Sequence, residues 1–281
     1  MKKMTQLVGA ACLALSLFSC KKDISTTDKS SDEITGHAWL KHGEEDDENE
    51  ANDRHVYILS NQTTGNSVLV YDRSRDGKLT YSESVPTGGT GTGGGLGNQG
   101  ALIMAGDDDD EDVLIAVNAG SNSISSFKIK GGKLKLRSTV PSGGERPVSV
   151  TQYGSLVYVV NAGGVNNISG FRLRNNGNLE PIPNSTKPLS ATSTGPAQIS
   201  FVNYGKVLVI TEKATNKIVT YTVNEWGIPV KMNSITSSSP TPFGFAEAGD
   251  RNIFVSEAVG GAPGASVLSS FELVLMDLST L

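Results

Sequence analysis

Short apolar runs that stop at an Asn or Glu recur along the chain, each followed after a turn by a segment carrying an aromatic at a fixed place. The pairs are Val56-Tyr-Ile-Leu-Ser-Asn61 with Val68-Leu-Val-Tyr71, Leu114-Ile-Ala-Val-Asn118 with Ile124-Ser-Ser-Phe127, and Val157-Tyr-Val-Val-Asn161 with Ile168-Ser-Gly-Phe171. Leu208-Val-Ile-Thr-Glu212 with Ile218-Val-Thr-Tyr221 and Ile253-Phe-Val-Ser-Glu257 with Leu268-Ser-Ser-Phe271 complete the set. Runs this short, bounded by Gly, Asn and Ser, are strands, and no longer stretch repeats its apolar positions with the helical period. The chain therefore reads as nearly all-β.

The Asn/Glu positions lie 57, 43, 51 and 45 residues apart. That is the period of a four-stranded blade in a β-propeller, where each blade buries its apolar strands by stacking on its neighbours. The fourth repeat is the clearest: strand a over Gln198-Ile-Ser-Phe-Val202, b over 206–212, c over 217–223 and d over 230–236. Its turns fall at Tyr204-Gly205, Ala214 to Asn216 and Glu225-Trp-Gly-Ile228. Three other repeats carry Gly-x-Leu before strand d: Gly77-Lys-Leu79, Gly132-Lys-Leu134 and Gly177-Asn-Leu179. The Gly supplies the positive φ of the turn, and the Leu is expected to return to the core. The fifth repeat breaks off after strand c, where Glu272-Leu-Val-Leu-Met-Asp-Leu-Ser-Thr-Leu281 lacks the expected Gly turn. Five blade beginnings are legible over residues 55–281. The ending reads as an incomplete propeller, through a shifted frame or an early stop, with a five-bladed ring as the alternative.

Lys2 and Lys3, the apolar stretch Leu7 to Phe18 and the Leu17-Phe-Ser-Cys20 junction read as a lipoprotein signal peptide over residues 1–19, with Cys20 lipidated as the first mature residue. An ordinary signal with an incidental cysteine is the alternative. Cleavage also removes Cys12, so no intramolecular disulfide is open to the mature chain. Residues 20–54 include Glu44-Glu-Asp-Asp-Glu-Asn-Glu50 and too few apolar residues to offset ordering entropy, so they read as a disordered acidic tether. Acyl chains on Cys20 would hold the domain at a membrane without spanning it. The implied place is the bacterial cell envelope, at the outer membrane on its periplasmic or surface side. A formal net charge of -5, or -7 once Lys2 and Lys3 are gone, argues against nucleic acid as a partner.

Strand a of a propeller blade lines the central channel. Its upstream end and the end of strand b therefore meet around one mouth. This places Gln99, Arg146, Gln198 and Phe243 on one ring, with Asn118, Asn161, Glu212 and Glu257 nearby. Arg146 could stabilise a developing oxyanion, and Glu212 or Glu257 could act as general base on water. Gln99, Asn118, Asn161, Gln198 and Phe243 would contact the ligand. The alternative is plain: an Asn or Glu after strand b can simply bond the turn that follows, and Arg–Glu pairs also occur as ordinary ion pairs.

Gly93-Gly-Gly-Leu-Gly-Asn-Gln-Gly-Ala-Leu102, Val117-Asn-Ala-Gly-Ser-Asn122, Pro141-Ser-Gly-Gly-Glu-Arg-Pro-Val-Ser-Val150 and Glu257-Ala-Val-Gly-Gly-Ala-Pro-Gly-Ala-Ser266 resemble the bacterial lactonase-like β-propeller family. That family is similar to the propeller type of 6-phosphogluconolactonase and to fungal carboxymuconate lactonizing enzymes. The resemblance implies seven blades, two more than are legible, or roughly 90 further residues. It also implies a channel mouth with histidine, arginine and a carboxylate around a lactone. The histidines are His37 and His42 in the tether and His55 at the start of the first blade, so the expected histidine is missing from the mouth. On the sequence alone, the preferred reading is a lipid-anchored binding module for a small sugar-like ligand or an envelope protein. Hydrolysis of a sugar lactone is the alternative.

Other motifs add little. Gly89-Thr-Gly-Thr-Gly-Gly94 satisfies Gly-x-Gly-x-x-Gly, but no helix follows to cradle a phosphate, so it reads as a glycine-rich connection between blades. Asp107-Asp-Asp-Asp-Glu-Asp112 lacks the alternation of a Ca²⁺ loop and reads as a solvated hairpin tip. No Cys/His set suits zinc, no Gly-x-Ser-x-Gly elbow is present, and no cofactor or metal is implied. Trp226 sits in a turn and is expected to tuck against its own blade, with an exposed contact as the alternative.

Overall fold

The computed structural model describes residues 55–106, 113–249 and 252–273, all within the unit Asp47–Leu281. The signal peptide, Cys20, the tether, the acidic run 107–112 and residues 274–281 lie outside the described residues. Five antiparallel sheets follow one another along the chain. The first holds β1 (His55–Leu59), β2 (Ser67–Arg73) and β3 (Leu79–Pro86). The second holds β4 (Leu102–Ala105), β5 (Val113–Asn118), β6 (Ser123–Lys130) and β7 (Lys133–Pro141). In the third are β8 (Glu145–Tyr153), β9 (Leu156–Gly163) and β10 (Asn167–Leu173), with β11 (Leu179–Pro181) and β12 (Lys187–Pro188) both pairing β10. The fourth holds β13 (Pro196–Val202), β14 (Val207–Glu212), β15 (Lys217–Val223) and β16 (Pro229–Thr236), and the fifth β17 (Pro242–Ala248), β18 (Asn252–Glu257) and β19 (Val267–Glu272). Strands pair with their sequence neighbours, and consecutive sheets stack: this is a β-propeller of four-stranded blades. Among the described residues the first sheet has no strand a and the fifth no strand d.

The unbroken apolar runs belong to strands buried on both faces. Along β5, Leu114 and Ala116 face the first blade in a core with Val68 and Phe127, while Ile115 and Val117 face the third in a core with Val150, Val157 and Val159. β9 divides the same way: Val157 and Val159 turn to blade two, Tyr158 and Val160 to blade four. On β14, Leu208 and Ile210 join the interface with blade three, Val207 and Val209 that with blade five. Period-2 alternation thus sorts neighbouring apolar residues into two successive cores. The recurring aromatic sits opposite one fixed position of strand b, as in Leu114↔Phe127, Val157↔Phe171, Leu208↔Tyr221 and Ile253↔Phe271.

Two expectations are corrected. Leu134 and Leu179 pack toward the preceding blade, but Leu79 is 45% exposed, because the first sheet has no preceding sheet among the described residues. Trp226 leaves its ring 62% exposed instead of tucking in; the chain is held there through its carbonyl, which accepts Arg172 Nη2 of blade three at 2.9 Å.

Strand a is an edge strand whose inward N–H groups would be costly if left unpaired. Adjacent blades supply the partners. Ile199 and Phe201 of β13 donate their N–H groups to Ser149 Oγ (3.2 Å) and Thr151 Oγ1 (3.1 Å) of β8. The Gln198 side chain accepts the Phe245 N–H at 2.9 Å and donates to the Phe245 carbonyl at 3.1 Å. The segment before β4 runs across this array: Gly100 accepts the Val150 N–H at 2.8 Å, and Gln99 donates its N–H to Ala197, two blades away, at 2.9 Å.

Candidate functional site

The residues that end strand b form a set of buried brackets between blades. Asn118, Asn161 and Glu212 are fully buried and Glu257 is 1% exposed. Each reaches a residue one or two positions after strand d of the preceding blade. Asn118 Oδ1 accepts Thr87 Oγ1 at 2.6 Å, and Asn161 Nδ2 donates to the Ser142 carbonyl at 3.2 Å. Glu212 accepts the Ser190 N–H at 3.0 Å together with the Ser190 and Thr215 hydroxyls. Glu257 accepts the Ser237 hydroxyl, the Ser239 N–H at 3.1 Å and the Ser269 hydroxyl at 2.7 Å. Burial pushes the Glu257 carboxyl upward, but the Ser237 and Ser269 hydroxyls and the Ser239 and Ser238 N–H groups outweigh it and hold it below the usual glutamate value.

A second asparagine, in the turn after strand b, completes the bracket and was not singled out from the sequence. Asn66 Nδ2 donates to Asn118 Oδ1 at 3.0 Å. Asn122, Asn166 and Asn216 accept the N–H groups of Arg146 (2.8 Å), Thr194 (2.7 Å) and Thr241 (2.9 Å). Its signal is the spacing of the two polar residues, four or five positions, at 61/66, 118/122, 161/166 and 212/216.

Strand a begins with one local device in blades three, four and five: a residue at positive φ, then proline, then a register shift against strand b. Arg146 (φ 52°) precedes Pro147, Gly195 (φ 58°) precedes Pro196 and Thr241 (φ 64°) precedes Pro242. The shifts fall at Pro147/Ser149, Pro196/Gln198 and Pro242/Phe245. Glycine suits such a position, and a non-glycine residue there carries strain that is otherwise concentrated at functional sites. The bulge also re-aims the side chains beside it. Arg146 is exposed at this end of the channel.

The position after the bracket residue is Ala119, Ala162, Lys213 and Ala258 in blades two to five. Lys213 is the departure. It is half-buried, its ammonium stands 5.1 Å from the Phe243 ring centroid, and it donates to the Gly97 carbonyl of the segment before β4. Burial lowers its pKa first, and the charge of Arg146 lowers it further. Arg146, 67 residues earlier in the chain, is thus near enough for its charge to act on Lys213.

Of the residues expected at the mouth, Phe243 lies beside the Lys213 ammonium, Arg146 acts on that lysine through its charge, and the Gln99 amide fills the space where Gly244 has no side chain. Gln198 is taken up by the Phe245 backbone, and Asn118, Asn161, Glu212 and Glu257 by the interblade brackets. No ion pair joins Arg146 to Glu212 or Glu257 among the described residues. His55 packs on Gly132 at the outer hairpin of blade two, away from the mouth. Among the described residues no three His, Cys, Asp or Glu side chains gather to hold a metal. The arrangement offers an exposed guanidinium on a backbone held by Asn122 and a lysine with a weakened hold on its proton, beside an aromatic face and an amide.

No curated protein matches the chain. Its fold is similar to that of a candidate 6-phosphogluconolactonase from Bacteroides uniformis, at 15% identity and TM-score 0.55 over 77% of this chain and 67% of that one. It is also similar to a protein from Lactobacillus plantarum (14%, TM-score 0.56, 75% of this chain and 64% of that one) and to the periplasmic gluconolactonase of Pseudomonas aeruginosa (16%, TM-score 0.55, 78% and 68%). The chain thus spans about two thirds of the length of these structures. Residues 49–191, just over half of it, match the model of the family described as lactonase, 7-bladed beta-propeller. With the stacked blades described above, this places the chain in the lactonase, 7-bladed beta-propeller family.

Proposed function

We propose that the channel mouth hydrolyses a sugar lactone, which reverses the order of the two readings drawn from the sequence. The observation that supports it is the half-buried Lys213 ammonium 5.1 Å from the Phe243 ring centroid, its hold on its proton weakened by burial and by the charge of Arg146. A lactone seated there with its carbonyl oxygen toward the Arg146 guanidinium gains most where negative charge develops, in the tetrahedral oxyanion. Neutral Lys213 takes a proton from the attacking water and returns it to the ring oxygen as the acyl C–O bond breaks. The lowered pKa of Lys213 suits that exchange. In this reading the base is Lys213, because the Glu212 and Glu257 carboxylates already accept hydrogen bonds between blades. Gln99 bonds sugar hydroxyls, and Phe243 offers an apolar face.

The test is hydrolysis of an aldonolactone panel with spontaneous opening subtracted. Arg146→Ala is expected to lower kcat by about 100-fold or more. Lys213→Met is expected to abolish the rise in rate with pH, which in the parent should be complete below the ordinary lysine range. Parent rates equal to the spontaneous rate would overturn the proposal. A companion proposal rests on the Leu17-Phe-Ser-Cys20 junction: the protein is held in the cell envelope by acyl chains on Cys20. Mass spectrometry of membrane-extracted protein should find them there, and a product beginning elsewhere would refute the anchor.

A further inference from the structure

The inner strands run from this mouth to a second, chemically different end. Arg146 and Tyr153 are seven residues apart on β8, roughly 23 Å at the usual strand rise. At the far end, where strand a turns into strand b, lies a cavity of about 320 Å³ lined by Tyr153, Phe201, Val202, Tyr204 and Glu247 together with glycine backbone. We infer that this cavity binds an organic cation, an alkylammonium group. Among the described residues its walls carry three aromatic residues and one carboxylate, and no lysine or arginine. Ring faces and a carboxylate both attract positive charge, and an alkylated ammonium gives up its hydration more readily than a small metal ion does.

The walls are held in place. The Tyr153 ring lies on Gly205 so closely that no side chain fits there, and its centroid is 6.2 Å from that of Phe201. Phe201 in turn meets the buried Tyr158 edge-on at 5.7 Å, and the Tyr158 hydroxyl donates to the Gly227 carbonyl at 2.5 Å. One Glu247 oxygen accepts the Asn203 N–H at 2.6 Å, which orients the carboxylate at the cavity wall.

Backbone strain supplies an independent observation. Asn203 and Tyr204 both hold positive φ, 50° and 54°. Asn tolerates that region, whereas a tyrosine there is an outlier where Gly or Asn would serve the hairpin at lower cost. Tyr204 is also 63% exposed. Strain of this kind is retained where the side chain is needed, and here the ring borders the cavity.

The experiment is isothermal titration of the full chain with choline, with its neutral isostere 3,3-dimethylbutan-1-ol, with Nα-acetyl-lysine amide and with glucose. Choline or the lysine amide is expected to bind at least about tenfold more tightly than the isostere. Choline preferred over the lysine amide points to a free small molecule, and the reverse order to a lysine side chain of a partner protein. Glu247→Gln and Tyr204→Asn should each weaken cation binding by about fivefold or more. Tyr204→Asn keeps a residue suited to positive φ, so its unfolding midpoint should not fall, which separates lost binding from lost fold. Absence of binding by both cations would overturn the inference. Equal binding of the isostere, tighter binding of glucose, or unchanged affinity in both variants would do the same.

Discussion

Blades two and three close their interfaces with asparagine, and blades four and five close theirs with glutamate. The position, the burial and the reach to the link from the preceding blade are shared. Asn118 accepts from Thr87 and Asn66 and donates to Ser123 and Ser125, and Asn161 donates to a carbonyl, so these links can offer either donors or acceptors. A carboxylate only accepts. The links to blades four and five accordingly present donors alone, the N–H and hydroxyl of Ser190, the hydroxyl of Ser237 and the N–H of Ser239. The repeat therefore keeps a buried polar bracket and leaves open which side carries the protons, although in blade three Asn161 Oδ1 itself accepts no hydrogen bond among the described residues. It also isolates Lys213: alanine follows the bracket residue in blades two, three and five, so the bracket itself has no need of a cation there.

The comparison is broken most severely at Glu257. Glu257→Ala leaves three buried or half-buried donors without an acceptor, and denaturant unfolding should lose about 3 kcal/mol or more. Asn118→Ala should cost less, about 2 kcal/mol, because the Thr87, Ser123 and Ser125 hydroxyls can rotate toward one another and toward carbonyls. A larger loss for Asn118 than for Glu257 would mean that the amide bracket carries more of the interface than the charged one.

Acid sharpens the contrast. The folded pKa of Glu257 lies below its unfolded value, so the folded state binds fewer protons between the two. Its contribution is present in full above the unfolded value, about 4.3, and is lost as pH falls through the lower folded value. Glu257→Gln should flatten this part of the stability curve between pH 5 and pH 3, read from unfolding midpoints. An unchanged slope would assign the acid sensitivity to other carboxylates.

Smaller effects test the residues outside the brackets. Lys213→Met should leave unfolding free energy within about 0.5 kcal/mol of the parent or slightly above it, since it removes a half-buried charge that Arg146 repels. A clear destabilisation would make Lys213 a structural residue and weaken its catalytic role. Trp226→Ala should change stability least, by less than about 0.5 kcal/mol, because its ring is exposed and its carbonyl stays to accept Arg172.

Much of the candidate site was not legible as such. Of Arg146 and Phe243, expected together at the mouth, the structure sets the Phe243 ring 5.1 Å from the ammonium of Lys213, a residue with no part in that expectation. Glu212 and Glu257 were weighed as bases or as turn-bonding residues, and the structure engages both in links to the preceding blade. Lys213 becomes visible in sequence only when the repeats are aligned at their bracket residues and the odd position is noticed.

By itself, the sequence determined the blade period, the order of strands within a blade and the burial of strand b. All three follow from local alternation and from how long an apolar run lasts, and these are one-dimensional quantities. The fourth blade shows how closely they translate, with β15 over the residues expected and β14 and β16 each one residue away at a single end. Tertiary structure alone decided that Leu79 and Trp226 stay exposed, that Gln198 pairs a backbone in the next blade, and that Lys213 lies against Phe243. The physical reason is that such partners depend on how one blade is set against the next. That setting follows from bulges, links and the summed packing of two sheets, and no periodicity within a single strand carries it.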